Sequence, residues 1–404
     1  MIPNITKTNL IKFWLSLLII SFATSPAFAL DSSNMNLLLI GVMLISPIIL
    51  FISIRSISIE DILLILFMLS IIFSPLINHP ETMRWSTVIY SCMFIISFIT
   101  YKHLLYKDIF RIENFEKLIR YLIYAYTLVL IIQQICVLLG LPIFNLSNYS
   151  PAEPWKLNSL TSEPSHSARI VGLLMYCYIV IKEIMLNRKY NLKNDLKVDK
   201  WIWFSFFWTM ITMGSGTAFL FIFLVLSVFL SFRNLIILLL VFIILIGAIT
   251  FFEITAFDRT WKVFLATLTL DTNKIIAADP SASVRIVPFI IISQLVDFTT
   301  FNDWFGYGVD YVKSIFSTYV RIGGLPEEGF TGGGMFQVWL DYGLLSFLLF
   351  VYFTFSATYL KDSIVSVFFW FLLVFMYGVN SQIVWVTIVL LFTLNYFKQQ
   401  YKRG

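Results

Sequence analysis

Apolar residues run in long blocks along this chain, most of them close to the ~20 needed for a helix to cross ~30 Å of hydrocarbon. Twelve blocks can be drawn, at residues 11–30, 35–53, 59–77, 84–100, 118–140, 168–186, 201–215, 217–232, 234–252, 335–360, 363–379 and 381–397. None alternates with the period of two of a barrel strand. A spanning segment must satisfy its backbone groups internally, so the blocks predict helices. The expected fold is an all-α polytopic membrane protein of about 12 transmembrane helices, forming a single integral domain over residues 1–404.

The polar stretches between blocks are short, with two exceptions. Residues 141–167 are rich in Pro, Asn and Ser, and residues 253–334 run far beyond the ~12–15 at which a structureless loop becomes uncommon. Within the second loop an amphipathic stretch at 259–276 and a short apolar one at 286–296, interrupted by Pro288, predict helices lying on the membrane surface. Glycines crowd its end around Glu327 and Glu328, a composition that serves either close backbone approach to a ligand or a flexible connector. At the start, Lys7 and Lys12 precede an apolar run, and Ser25-Pro26-Ala27-Phe28-Ala29 imitates a leader-cleavage site. Continuation of the run to Leu30 favours an uncleaved first span over a removed leader.

Composition agrees with this pattern. The chain is 59% hydrophobic and 13% charged, with 41 Phe and a mean hydropathy of +0.86, where soluble domains hold ~45–50% apolar residues. Cys92, Cys136 and Cys177 all fall inside apolar blocks and read as small hydrophobes. The net charge of +5 is informative only once divided by side. With a cytoplasmic N-terminus, about two thirds of the Lys and Arg fall on inner segments, among them Arg188, Lys189, Lys193, Lys197 and Lys200 in one loop. Carboxylates run the other way. This bias places both termini in the cytoplasm and implies a bilayer, with no nucleic acid, as the basic face's partner.

The likeliest chemistry sits where ionisable groups meet the outer membrane boundary. Ser162-Glu163-Pro164-Ser165-His166-Ser167-Ala168-Arg169 opens the sixth block, and Glu163, His166 and Arg169 follow at intervals of three, so that neighbours share a helix face. Ser162 and Ser165 suit an N-cap, and Pro164 suits a first turn. Free N–H donors and a positive dipole end make a helix start an anion site, to which Arg169 adds a fork matched to phosphate oxygens. Two readings stand side by side: Arg169 holds a phosphate or diphosphate while Glu163 or His166 handles a proton, or Glu163 and Arg169 are an interfacial ion pair. Arg259, Arg285 and Arg321 lie in the long loop on the same side, and Arg285 precedes Ile-Val-Pro-Phe as a lipid-phosphate grip would require. No Asp-x-Asp occurs, so neither metal nor cofactor is expected and arginines must neutralise a departing diphosphate.

Other features read more simply. His79 and His103 are expected as solvated loop residues, and Trp85, Trp201, Trp203 and Trp339 as interfacial belts. Trp304, Tyr307 and Tyr311 could stack on sugar rings. Glu60 and Asp61 open the third block as a favourable helix start. Asn-x-Ser/Thr triplets at Asn4, Asn145 and Asn148 matter only in a eukaryotic secretory pathway.

Three stretches together resemble the Wzy-type polysaccharide repeat-unit polymerases, the group of O-antigen, capsule and exopolysaccharide polymerases. They are Thr161-Ser162-Glu163-Pro164-Ser165 leading into a span, Gly214-Ser215-Gly216-Thr217 between the next two, and Ser283-Val284-Arg285-Ile286 in a long penultimate outer loop. The resemblance implies a metal-independent glycosyltransferase of the bacterial inner membrane. It would move a growing glycan from undecaprenyl diphosphate onto another undecaprenyl-diphosphate-linked repeat unit at the periplasmic face, with a flippase and a chain-length regulator as possible partners. It further implies Arg169 and Arg285 as diphosphate ligands, Arg259 and Arg321 as additional substrate-binding groups, and Glu163, or else His166, as the base. An O-antigen ligase is the nearest alternative, but such ligases resemble one another in a His of the large outer loop, and residues 253–334 hold none. A lipid-linked oligosaccharide flippase would need ionisable groups at mid-membrane, and the block interiors are almost bare of them.

Overall fold

The computed structural model describes residues 4–25, 36–54, 56–145, 153–229, 255–312, 333–361 and 363–403. Among these residues the secondary structure is entirely helical. In chain order the helices are α1 (Asn4–Ala23), α2 (Leu37–Ser53), α3 (Ile59–Asn78), α4 (Trp85–Leu105), α5 (Ile112–Leu139), α6 (Pro164–Leu186), α7 (Leu192–Val198), α8 (Lys200–Thr212) and α9 (Gly216–Leu226). There follow α10 (Thr255–Leu268), α11 (Thr272–Ala278), α12 (Pro280–Leu295), α13 (Phe301–Phe305), α14 (Gly334–Tyr342), α15 (Leu344–Thr358), α16 (Ile364–Trp370) and α17 (Gln382–Arg403).

Twelve full spans are not what the described helices amount to. Only α3, α4 and α5 are both long and apolar enough to cross a membrane by length and composition; α2, α15 and the apolar part of α1 are shorter, as are α9 and α16 with the turns that extend them. Local chemistry accounts for the shortening. The expected span at 335–360 is cut in two at Gly343, whose φ of +91° closes α14 before α15 begins. The span expected at 201–215 stops at Thr212, ahead of the turn at Gly214, whose φ is +68°. The span at 234–252 lies outside the described residues.

Two helices are apolar on every side and form the centre. Residues 167–181 of α6 are buried without interruption, and in α17 the run from Ile383 to Leu391 is buried throughout, as expected of a helix hydrophobic all round. Helix α17 packs on α1, α4, α6, α15 and the end of α16, while α6 packs on α5, α8 and α9. Outer helices bury one stripe only. In α3, Asp61, Leu64, Phe67, Ile71 and Pro75 face inward at helical spacing, whereas Ile62, Leu66, Leu69, Phe73 and Ile77 are exposed. Exposed apolar faces of this extent, continued on α2 by Leu44, Ile48, Phe51 and Ile52, call for lipid rather than water as solvent.

Lipid tails are as apolar as leucine, so helix association there rests on packing and interhelical hydrogen bonds of roughly 0.6–2 kcal/mol each. Several are built in. Tyr101 Oη meets Thr393 Oγ1 at 2.6 Å, Thr127 meets Thr209 at 2.8 Å, Tyr176 meets Ser363 at 2.7 Å, and the Tyr126 hydroxyl donates to the Ala23 carbonyl. Aromatic stacking fills the spaces between, with Trp385 against Phe94 at 5.7 Å and Phe67 against Phe350 at 4.8 Å.

The described part of the long second loop is helical. The amphipathic stretch divides into α10 and α11, and the short apolar one becomes α12, with Pro288 inside it. A small core of Ile275, Val287, Ile290, Ile292 and Leu340 joins these helices to α14. Contrary to expectation, α12 does not simply lie on a surface: Phe289 packs on Phe336 at 5.2 Å and on Phe375 at 5.8 Å. Helix α10 does keep an exposed apolar face, with Phe264, Leu265 and Leu268 open, as an interfacial helix should.

Candidate functional site

The ends of the helices define two poles. At one stand the C-terminus of α5, the N-termini of α6, α14 and α17, and the α10–α13 region; at the other stand the N-terminus of α3 and the C-termini of α4 and α17. The Ser162–Arg169 cluster belongs to the first.

A buried polar network shapes the turn that presents it. Gln133 of α5 donates to Asn158 Oδ1 at 3.2 Å and accepts from the Ser159 amide at 2.9 Å, while Asn158 donates to the carbonyls of Asn145 at 2.7 Å and Ser162 at 3.2 Å. Thr161 Oγ1 reaches the Glu163 carbonyl at 2.7 Å and Ser167 Oγ at 2.9 Å. Gln133, Ser159, Thr161 and Ser167 are fully buried, so every member must be satisfied in this way. Asn145, noted as a glycosylation triplet, turns its amide inward onto the Ser159 and Thr161 carbonyls at 2.6 and 2.9 Å.

On this base α6 starts with Pro164 in its first turn, as anticipated, but the capping differs. Glu163 occupies the N-cap position without a side-chain cap bond, and Ser165 donates instead to Glu163 Oε2 at 3.0 Å. His166 Nε2 lies 3.9 Å from the same oxygen. These two side chains are about a third exposed, at 34% and 31%. Arg169, one turn further in, is buried at 6% exposure and lies over the Tyr377 ring, 5.2 Å from its centroid. The result is graded: an acid and an imidazole at the rim, a guanidinium beneath them on an aromatic face. Cation–π contact of this sort gains ~2 kcal/mol when desolvated, and it fixes the plane of the fork.

Tyr377 stands two residues past a π-helical turn, Phe371–Phe375, that ends α16; such turns are frequent at functional sites. The same turn receives the long loop. Gly334, with φ +56°, opens α14 so close to it that a Cβ there would lie 2.3 Å from the Phe375 carbonyl oxygen, and Phe289 of α12 meets the Phe375 ring edge to face. Arg285 lies one helical turn before Phe289 on α12, so two of the predicted arginine positions are carried by elements that meet the segment 371–377. Arg259 is carried by α10, which packs on α9. Arg321 and the glycine-rich stretch around Glu327 and Glu328 lie outside the described residues.

Sequence reasoning missed Tyr377, Gln337, Asp341 and Asp310. Gln337 Oε1 stands 3.3 Å from where a Cβ on Gly378 would be, and its amide donates to Asp341 Oδ2 at 3.2 Å. Asp341 Oδ1 accepts from the Val312 amide at 3.1 Å. Asp310 pairs with Arg84 at 3.1 Å and accepts from Thr87 at 3.1 Å. Both carboxylates are buried, and they pin residues 309–312 to α14 and α4. The polar break Tyr377-Gly378-Val379-Asn380-Ser381 between two apolar runs was the available signal for this corner. Tyr307 and Tyr311, considered as sugar platforms, stack on each other at 4.4 Å.

Of the other two histidines only His103 departs from expectation. His79 is partnered by Glu81 at 3.1 Å, and hydrogen bonds to that carboxylate, from its own backbone amide first and then from His79, hold the Glu81 pKa below its ordinary value. His103 is not a solvated loop residue but sits in the last turn of α4, its side chain 10% exposed and 3.2 Å from Asp61.

Searches against family models, curated proteins and solved structures find no match to the chain. The function therefore has to be argued from the site.

Proposed function

We propose that the chain is a multi-pass enzyme of the bacterial inner membrane that polymerises undecaprenyl-diphosphate-linked oligosaccharide repeat units at the periplasmic face. In this reading the Glu163 pole is periplasmic, both termini are cytoplasmic, and the twelve apolar blocks are the spans or their broken equivalents. The observation that carries it is the layering of Glu163 and His166 above a buried Arg169 stacked on Tyr377, at a corner onto which α12, the helix whose sequence includes Arg285, packs through Phe289.

Transfer breaks the bond between the anomeric carbon of the growing glycan and its diphosphate oxygen. A new bond forms from that carbon to an acceptor hydroxyl. The hydroxyl proton passes to the Glu163 carboxylate, and undecaprenyl diphosphate leaves as an anion. Arg169 faces the charge that develops on the leaving oxygen, and its low-dielectric position makes that interaction stronger than in water. Glu163, a third exposed, is open to an acceptor and supplies general-base assistance.

The test is the lipid-linked product pool of a producing strain. Deleting the gene should leave single repeat units on the carrier at the periplasmic face, and the intact gene should restore long chains. Units trapped on the cytoplasmic side would instead mark a flippase. Long free polymer lacking only its final attachment would mark a ligase.

A further inference from the structure

Gln337 stands on α14 one turn after Gly334, where that helix meets the segment 371–378. Its amide nitrogen donates to Asp341 Oδ2 at 3.2 Å, and the other Asp341 oxygen is held by the Val312 amide at 3.1 Å. A carboxylate accepts and does not donate, so this bond fixes which end of the Gln337 amide faces Asp341 and leaves the carbonyl oxygen turned away from it. That oxygen has no hydrogen-bond partner among the described residues, and the side chain is partly exposed.

Gln337 Oε1 lies against Gly378, where a Cβ would stand 3.3 Å from it. Apart from Gln337 and the glycine's own chain neighbours, no atom of the described residues comes within 4 Å of that point, and the Gly378 φ is not left-handed. Neither backbone strain nor close packing therefore requires glycine at 378. What the missing side chain leaves is open space against an oriented acceptor. The preceding residue is Tyr377, partly exposed itself, with the Arg169 guanidinium 5.2 Å from its ring centroid. One short bend thus carries an anion ligand and a hydrogen-bond acceptor at consecutive residues. A sugar joined to a diphosphate asks for that pair: a cation for its charged end and an acceptor for its hydroxyls.

We propose, resting on the reading of this site as a glycan transferase, that Gln337 is a sugar-binding residue: its Oε1 accepts from a hydroxyl of the sugar bonded to the diphosphate that Arg169 holds, in the space left by Gly378. Two probes test it, lipid-linked single units from a deletion strain and bare undecaprenyl diphosphate. Each is supplied alone and in equal mixture to the full-length protein in nanodiscs, and native mass spectrometry counts what is retained. Wild type should prefer the sugar-bearing carrier. Gln337→Ala should lower that preference about tenfold, with retention of the bare carrier and melting in detergent unchanged. Gly378→Ala, which crowds the same oxygen, should do likewise, and the double variant should lose no more than either alone. Equal retention of the two carriers by wild type, undiminished preference in both single variants, or equal weakening of both carriers in Gln337→Ala would overturn the proposal. Wild type that prefers the sugar-bearing carrier yet forms no longer chains would refute polymerisation and leave the sugar contact standing.

Discussion

At the scale of single residues, the candidate chemistry separates into groups the sequence exposes and groups only packing reveals. The spacing Glu163, His166, Arg169 was legible because three-residue steps on a helix leave little freedom. That Arg169 would be buried while the other two stay at the rim was not, because burial depends on Tyr377, more than two hundred residues away. The graded arrangement assigns different penalties. Glu163→Gln keeps the Ser165 hydrogen bond but removes the base, so chain growth in membranes should fall by ~10²–10⁴. A variant elongating at near the wild-type rate would reduce Glu163 to a hydrogen-bond acceptor. His166→Ala should cost far less. His103 marks the same limit: it reads as solvent-facing from its neighbours in sequence, and it is drawn inward by a partner that pattern alone does not place.

At the scale of elements, hydrophobic blocks located the helices well and measured them poorly. A block records where water is absent, not where a helix stops. Residues 335–360 are mostly apolar, yet Gly343 breaks them because a Cβ there would lie 2.4 Å from the Trp304 carbonyl oxygen at a φ of +91°. Gly343→Ala should therefore separate α14 from α13 and lower the yield of folded protein in detergent-solubilised size-exclusion profiles. Gly41→Ala, with nothing within 4 Å of its Cβ and a helical backbone, should leave the profile unchanged or slightly improved. Equal behaviour of the two variants would contradict the steric account. The long loop repeats the point: its amphipathic period announced α10, but nothing in residues 286–296 said that α12 would dock through Phe289 onto Phe375 rather than rest on the surface.

At the scale of the whole molecule, two poles carry different chemistry. The pole with α6, α12 and α14 gathers a rim acid, a buried guanidinium and a π-helical turn. The other carries the buried pair Lys102–Asp61, a polar cavity and the pair Arg188–Asp195, whose 2.6 Å contact holds the Asp195 carboxyl down at about 2. The depth of each group within its pole was not legible from the order of charges along the chain. The central claim is that the first pole elongates a lipid-linked glycan. Lipid-linked single units accumulated by a deletion strain, supplied to the purified protein in nanodiscs, should be converted by wild type into a ladder of longer chains and released undecaprenyl diphosphate. Arg169→Ala, inserted and folded to the same extent, should leave them as single units, a loss of ~10²–10³ in rate. A ladder of normal length from Arg169→Ala, or none from wild type, would contradict the account.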